Sequence, residues 1–364
     1  MRASRDPGGA DVPAGAGAAA DAAARPVPQA PAGPVPPARW DGAALTTTWS
    51  PDALGEGFEA RRLDLADDDE GEVTATLVRL APDPTLRPAR VVLYVHGWSD
   101  YFFQTPLAHF WRAQGAAFYA LDLRKSGRSL RPHQTPGYVD DLRTYDEEIG
   151  AALAVVRAEL GPVARVMLMG HSTGGLVLSL WTARHPGAVS GLVLNSPWLE
   201  LQGSSLARHL SAPAISRLAR FNPKAALPNI DPGYYARTID VATGGDWTVD
   251  DRWRPTPSFP VRAGWLSAIM VGHAAVARGL GIDVPVLVTM SDRTLISARW
   301  SEEMRSADVV LDVEAIARRA VQLGDVVTVV RVPGGMHDLT LSARPARERF
   351  YAELTRWLAA YGWS

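Results

Sequence analysis

The sequence contains no cysteine, almost no lysine and no long apolar run. Without cysteine, the chain can form no disulfide, no thiolate metal site and no cysteine nucleophile. Of its 37 lysines and arginines only Lys125 and Lys224 are lysines, a bias typical of GC-rich bacterial genomes. The net charge of −2 gives no electrostatic footprint for nucleic acid. No stretch of about 18 uninterrupted apolar residues occurs, so we predict no stable membrane insertion.

Residues 1–40 lack the large apolar side chains that a folded segment needs. They consist almost entirely of Ala, Pro, Gly and a few charges, which cannot offset the entropy of ordering. A secretory signal is the alternative, but the Ala-rich stretch is broken by Gly15, Gly17 and Asp21 and contains no Leu, Ile or Val. We therefore predict a disordered tail and a cytoplasmic protein.

Eight short segments have the patterns of β-strands, with helical patterns between most of them. The first two strands alternate apolar and polar residues, whereas the other six are continuous apolar runs, as in strands covered on both faces of a parallel sheet. Strands that alternate with helices predict a doubly wound α/β sheet. The strands are residues 58–65, 73–80, 91–95, 117–121, 166–169, 192–194, 284–290 and 326–332. The helices are residues 107–114, 142–160, 175–184, 313–323 and 346–360.

Residues 198–281 contain no clear strand and are too many for a simple crossover connection. We predict that they form a helical cap inserted after the sixth strand, while residues 41–197 and 282–364 form the core. The second half of the cap is rich in Trp and Pro. We expect most of these aromatic residues to pack the cap onto the sheet and a minority to line an apolar substrate pocket.

The stretch RVMLMGHSTGG, at residues 165–175, carries the strongest chemical signal. Gly170, Ser172 and Gly174 form G-x-S-x-G at the end of the fifth predicted strand, where a helix begins. The motif alone is weak, but in this position it indicates a nucleophile instead of a simple turn. A serine hydroxyl needs an imidazole to take its proton and a carboxylate to orient that imidazole.

The base and the acid are expected on loops after the later strands. His337 lies on a Gly-rich loop directly after the last predicted strand, where the base belongs. Three aspartates could be the acid. Asp308 precedes the next helix in an acidic loop, Asp292 directly follows the seventh strand, and Asp312 suits the N-cap of that helix. We rank Asp308 first and Asp292 second.

An oxyanion hole requires two backbone N–H groups that face the developing negative charge. The residue after the nucleophile, Thr173, supplies one. The other is expected from the loop after the third predicted strand, which reads HGWSDYFFQ. Gly97 lets that backbone approach a ligand closely, so the N–H of Trp98 is the predicted second donor.

These motifs together resemble the α/β-hydrolase superfamily and, within it, the group of monoacylglycerol lipases, lysophospholipases and serine-aminopeptidase-like hydrolases. The similar segments are YVHGWSD, ALDLRKSGRS, GHSTGG and SADVVLDVEAIARRA, within roughly residues 55–362. Two substitutions depart from the usual pattern, Ser126 for a His and Thr173 for a Met. The group separates acid and base by about 30 residues; Asp308 lies 29 residues before His337, and Asp292 lies 45 before it.

The resemblance implies an α/β-hydrolase fold with an eight-stranded, mostly parallel sheet. It also implies hydrolysis of small-molecule acyl esters through an acyl-enzyme, without a metal or organic cofactor. Ser172, His337 and Asp308 would form the triad, with lipid-like or medium-chain esters as substrates. Two alternatives stay open. One is amide hydrolysis, with Asp246, Asp250 or Asp251 holding a substrate amine; the other is a non-catalytic binding protein with this fold.

Overall fold

The computed structural model of the chain describes residues 47–83, 89–161, 164–201, 205–228 and 231–361. The tail predicted over residues 1–40 lies outside this part of the chain. Within the described ranges, no helix combines the length and the apolarity needed to cross a bilayer.

One nine-stranded sheet forms the centre of the molecule, with the strand order β1-β2-β3-β5-β4-β6-β7-β8-β9. The pairs β1/β2, β2/β3 and β3/β5 are antiparallel and all other pairs are parallel. The strands are β1 Ser50–Pro51, β2 Phe58–Asp64, β3 Thr74–Leu80, β4 Arg90–Val95, β5 Ala117–Asp122, β6 Arg165–His171, β7 Gly191–Asn195, β8 Val286–Ser291 and β9 Val327–Val332.

The predicted α/β-hydrolase fold is confirmed, although the predicted count of eight strands is one too low. The additional strand, β1, consists of two residues that pair with Glu59 and Ala60 at the edge of the sheet. Two residues cannot carry a periodic pattern, so no hydrophobic signal marks them.

Eight α-helices accompany the described strands. The predicted helix 142–160 is divided, because Asp141 caps a 3₁₀ turn over Leu142–Tyr145 and α2 begins after it. The first turn of α2 contains three acidic residues, which interact favourably with the positive end of the helix dipole. The helices are α1 Thr105–Ala113, α2 Asp146–Leu160, α3 Thr173–Arg184, α4 Ser205–Phe221, α5 Tyr234–Ile239, α6 Ala263–Arg278, α7 Val313–Ala320 and α8 Arg344–Ala360.

Successive strand residues point into two separate apolar clusters, one on each face of the sheet. Leu93 and Leu168 pack in one cluster, whereas their neighbours Val92 and Met167 pack in the other. This double coverage explains the continuous apolar runs of the central strands. The edge strand β9 is an exception to the prediction, because among the described strands it has a neighbour on one side only and Val329 is 39% exposed.

The segment between β7 and β8 contains α4, α5 and α6. Helix α4 packs on α6, and α6 packs on α3 of the core. Trp253 and Trp265 of this segment are buried, as expected for aromatic residues that join it to the core. The segment therefore lies on α3, the helix that begins directly after Ser172.

Candidate active site

Ser172 occupies a sharp turn between β6 and α3. Its φ of +51° and ψ of −117° lie outside the regions that a side chain favours, as in a nucleophile elbow. The flanking glycines are required because a Cβ on Gly170 would lie 2.7 Å from the carbonyl oxygen of Gly174. A Cβ on Gly174 would overlap the carbonyl oxygen of His96. The G-x-S-x-G spacing thus permits the backbone to fold tightly around the serine.

Ser172, His337 and Asp308 lie in one hydrogen-bonded chain. His337 Nε2 is 3.1 Å from Ser172 Oγ, and His337 Nδ1 is 2.9 Å from Asp308 Oδ2. The carboxylate of Asp308 is fully buried, and its Oδ1 accepts the N–H groups of Val310 and Leu311 at 2.8 and 2.7 Å. The carboxylate of Asp308 accepts a hydrogen bond from Nδ1–H, which leaves Nε2 free to accept a proton from the serine.

The other two candidate acids lie in different environments. Asp292 is exposed, and its carboxylate accepts the N–H of Gly334 at 3.1 Å. Asp312 caps α7 by accepting the N–H of Glu314 at 3.0 Å. Asp308 reaches the end of β8 because the chain leaves the sheet after Ser291 and returns to pair with Thr294. Residues 292–307 therefore form an excursion from the sheet that leaves Asp308 beside the end of β8.

The loop that follows β4, residues 96–104, lies against Ser172, and we call it the oxyanion loop. A Cβ on Gly97 would lie 3.1 Å from Ser172 Cβ, so this backbone passes close to the serine. His96 fixes the loop: its Nδ1 donates to the carbonyl of Gly97 at 2.7 Å, and its Nε2 accepts the N–H of Leu123 at 3.1 Å. Thr173 is the first residue of α3, where backbone N–H groups lack intrahelical acceptors.

Aromatic side chains from the segment between β7 and β8 lie beside these residues. The ring of Tyr235 meets the His337 ring edge-on, with centroids 5.2 Å apart. Trp265 packs on Trp98, with centroids 4.0 Å apart, and also lies 6.0 Å from Trp198. The N–H of Trp198 in turn donates to the carbonyl of Ser172 at 3.0 Å. Aromatic rings thus lie next to His337 and to the loop beside Ser172.

Asp338 holds the loop that carries His337. It is fully buried, and its carboxylate accepts the side chains of Asn195 and Gln104 at 2.6 and 3.0 Å. The N–H and the hydroxyl of Thr340 bind the same carboxylate at 2.8 and 2.6 Å. With four hydrogen bonds from three parts of the chain, Asp338 fixes the backbone next to the imidazole.

A second buried group of charges lies behind the serine. Asp100 is 3.2 Å from Arg254 Nε and 3.6 Å from His171 Nδ1, and His171 is 3.8 Å from Asp338. Burial opposes ionisation of Asp100, but the charges of Arg254 and His171 outweigh it and lower the pKa of Asp100 to about 2. Burial likewise disfavours a charged His171, but Asp338 and Asp100 raise the pKa of His171 above its usual value.

No sequence pattern considered above predicts this group of buried charges. His171 and Asp338 could have been found, because each is the chain neighbour of a triad candidate. Asp100 follows Trp98 by two residues. Arg254 stands in a Trp- and Pro-rich segment without any pattern that indicates a role.

The three cap aspartates considered for binding a substrate amine have ordinary surroundings. Asp246 and Asp251 are exposed. Asp250 binds Arg252 within its own turn, with the guanidinium and carboxylate 2.5 Å apart. These contacts are typical of a solvated turn.

The chain matches the model of the family described as "Serine aminopeptidase, S33" over residues 87–341. It is 34% identical over 119 residues to the phospholipase YtpA of Bacillus subtilis, covering 32% of this chain and 43% of that protein. It is 27% identical over 216 residues to the monoacylglycerol lipase of Mycolicibacterium smegmatis, covering 58% of this chain and 72% of that protein. The chain thus spans less than half of the phospholipase.

Among solved structures, the fold is similar to a soluble variant of monoglyceride lipase from Saccharomyces cerevisiae. The TM-score is 0.59 at 14% identity, with 83% of this chain and 96% of the other covered. The monoacylglycerol lipase of Paleococcus ferrophilus gives 0.53 at 18% identity, with 83% and 99% covered. At these identities the likeness supports the fold alone.

Proposed function

The chain belongs to the S33 serine aminopeptidase family of α/β-hydrolases, and we propose that it hydrolyses carboxylic esters through a serine acyl-enzyme. One observation carries the proposal: the imidazole of His337 lies between Ser172 Oγ and the buried carboxylate of Asp308. This arrangement meets the geometric requirement for an activated serine, a hydroxyl within hydrogen-bond reach of a base that a third group orients.

In the first half-reaction, Ser172 Oγ attacks the ester carbonyl carbon while its proton passes to His337 Nε2. Asp308 stabilises the resulting imidazolium. The backbone N–H groups of Trp98 and Thr173 would bind the oxyanion, each worth about 3 kcal/mol of the barrier. When the tetrahedral intermediate collapses, the C–O bond to the alcohol breaks and His337 returns the proton to the departing oxygen.

In the second half-reaction, water attacks the acyl-enzyme and gives a proton to His337 Nε2. The bond between the acyl carbon and Ser172 Oγ then breaks, and the proton returns to the serine. The products are the free acid and the restored hydroxyl. Every proton transfer uses Ser172, His337, water or the departing alcohol.

We propose lipid-like or medium-chain acyl esters as the substrate class and residues 198–281 as the cap over the site. The aromatic rings of Tyr235, Trp98, Trp198 and Trp265 beside the triad support an apolar acyl group, since such rings favour burial of hydrocarbon. The names of the phospholipase and monoacylglycerol lipase relatives agree with this class. The cytoplasmic location stays a prediction that cell fractionation can test.

The direct test is hydrolysis of p-nitrophenyl esters of increasing acyl length by the wild type and by Ser172→Ala. We expect turnover by the wild type, with kcat/KM highest at medium chain length, and a loss of at least about 10⁴-fold in the variant. Equal rates in the two proteins would contradict the proposal. Turnover of aminoacyl-naphthylamides but not of esters would favour amide hydrolysis instead.

A further inference from the structure

Three consecutive residues of the oxyanion loop contact one short part of the cap, residues 250–259, which we call the clamp segment. The contacts lie beside Trp98, the proposed oxyanion donor. The Phe259 N–H donates to Ser99 Oγ at 3.1 Å, and the Asp250 N–H donates to the Tyr101 hydroxyl at 2.9 Å. Between them, Arg254 Nε forms an ion pair with Asp100 Oδ1 at 3.2 Å.

Apolar packing joins the same two segments. Trp253 of the clamp segment meets the ring of Tyr101 edge-on, with centroids 5.0 Å apart. Both residues belong to a buried cluster that also contains Phe103 of the oxyanion loop and Met336, the residue before His337. The clamp segment therefore rests on both loops that carry the reacting groups.

Asp100 depends on Arg254 in a way that Asp338, the other carboxylate near His171, does not. Asp338 accepts four hydrogen bonds from neutral groups. Within the described ranges, neither carboxylate oxygen of Asp100 accepts a hydrogen bond, so its buried charge is balanced by its ion pairs with Arg254 and His171. A buried carboxylate that loses its partner is strongly destabilised, which would displace the loop that carries it.

Because the backbone of the oxyanion loop is strained, a displacement there would change the direction of the Trp98 N–H. Ser99 has a φ of +51°, a left-handed conformation that non-glycine residues hold only when their surroundings enforce it. Ser99 directly follows Trp98, so relaxation at Ser99 or Asp100 would turn the N–H of Trp98 away from the substrate oxygen. The clamp segment contacts the loop at both of these residues.

We propose that Arg254 is a positioning residue: by holding Asp100 it keeps the oxyanion loop in its reactive geometry, so that the cap contributes to kcat as well as to substrate binding. This inference rests on the proposed esterase function. It assigns to the cap a role in stabilising the transition state.

The test compares kcat and KM for a medium-chain p-nitrophenyl ester in Arg254→Gln, Arg254→Lys and the wild type. Loss of an oxyanion donor costs about 10²–10³-fold in kcat, and we expect a misaligned donor to cost at least about tenfold, with KM changed less than about threefold. Arg254→Lys keeps the positive charge and should recover part of kcat. Arg278→Gln, at the exposed end of α6 and outside the clamp segment, is the matched control and should leave kcat unchanged.

A double-mutant cycle with Asp100→Asn separates positioning from general damage. If Arg254 acts through Asp100, the double variant should lose no more activity than the worse single variant. Multiplied losses, or a raised KM with unchanged kcat in Arg254→Gln, would overturn the inference.

Two further results keep the inference distinct from the esterase proposal and from misfolding. Absence of ester turnover in the wild type would count against the esterase proposal itself, whereas an active wild type with a fully active Arg254→Gln variant would overturn the inference alone. Should Arg254→Gln fail to fold, Ser99→Ala and Tyr101→Phe each remove one clamp contact. Each should lower kcat about threefold, as expected for the loss of one hydrogen bond, and unchanged kcat in both would overturn the inference.

Discussion

Two of the charged contacts between the proposed cap and the core differ in construction. At the first, which we call the lysine junction, Lys224 of the cap binds Asp69 and Glu70 at 2.6 and 3.0 Å. The core residue Lys125 binds the same Glu70 at 2.7 Å and also contacts Asp68. At the second, the arginine junction, Arg254 faces Asp100 next to the triad.

The difference lies in how many partners each charge has. Glu70 binds both lysines of the chain as well as the N–H and hydroxyl of Thr135, so no single contact is decisive. Asp100 has two ion-pair partners and, among the described residues, no hydrogen bond to either oxygen. Glu70 therefore keeps other partners when one contact is lost, whereas we propose that the sparse pair at Asp100 makes the conformation of the oxyanion loop sensitive to Arg254.

The largest expected effect is on kcat, and it tests whether the proposed triad next to the arginine junction is the catalytic site. Asp308→Asn should lower kcat by about 10⁴-fold while the protein stays folded, because the imidazole of His337 would lose the carboxylate that sets its tautomer. Ester hydrolysis under saturating substrate measures this loss. Asp292→Asn is the control and should match the wild type, since Asp292 binds the N–H of Gly334 at the surface. The opposite outcome for the two variants would move the acid to Asp292.

The next largest effect is expected at the lysine junction, where a substitution should lower the stability of the protein and leave kcat unchanged. Lys125 is 1% exposed, and Lys125→Met leaves the partly buried carboxylates of Asp68 and Glu70 without their shared cation. We expect the free energy of unfolding, measured by urea titration, to fall by about 2 kcal/mol, with kcat of the folded protein unchanged. Adding Glu70→Gln should restore part of the loss. A tenfold drop in kcat of Lys125→Met would contradict the proposal that only the arginine junction affects the reaction.

The smallest effect is expected for Lys224→Gln. Its ion pairs are about one-third exposed on the lysine side, and such pairs contribute less than about 1 kcal/mol. Both the unfolding free energy and kcat should stay close to those of the wild type, in contrast to Arg254→Gln. Parallel kinetics of the two variants give the comparison directly, and equal loss of kcat in both would contradict it.

The sequence predicted site residues best where a residue directly follows a strand. Ser172 and His337 each follow an apolar run at the end where loops of a parallel sheet gather, and the structure brings their side chains to 3.1 Å. The acid was harder to assign because Asp308 lies well after the end of β8 in the chain. It comes back to the sheet through a bridge between Thr294 and Asp308. Position after the strand favoured Asp292, and the resemblance to the family favoured Asp308.

The clamp contacts were beyond the reach of sequence patterns. Asp100 ends the segment YVHGWSD and Arg254 lies far along the chain in no motif, so no spacing in the sequence links the two. Their proximity follows from how the cap docks on the oxyanion loop, which depends on the packing of Trp253 and Tyr101. Local propensity and periodicity carry no information about such a long-range contact.

The central claim is that His337 and Asp308 make Ser172 a nucleophile. Labelling with a fluorophosphonate probe, followed by mass spectrometry of the digested protein, tests it most directly. We predict one adduct, on Ser172, which is absent in Ser172→Ala and forms far more slowly in His337→Ala. No adduct on the wild type, or equal labelling of the wild type and Ser172→Ala, would contradict the claim.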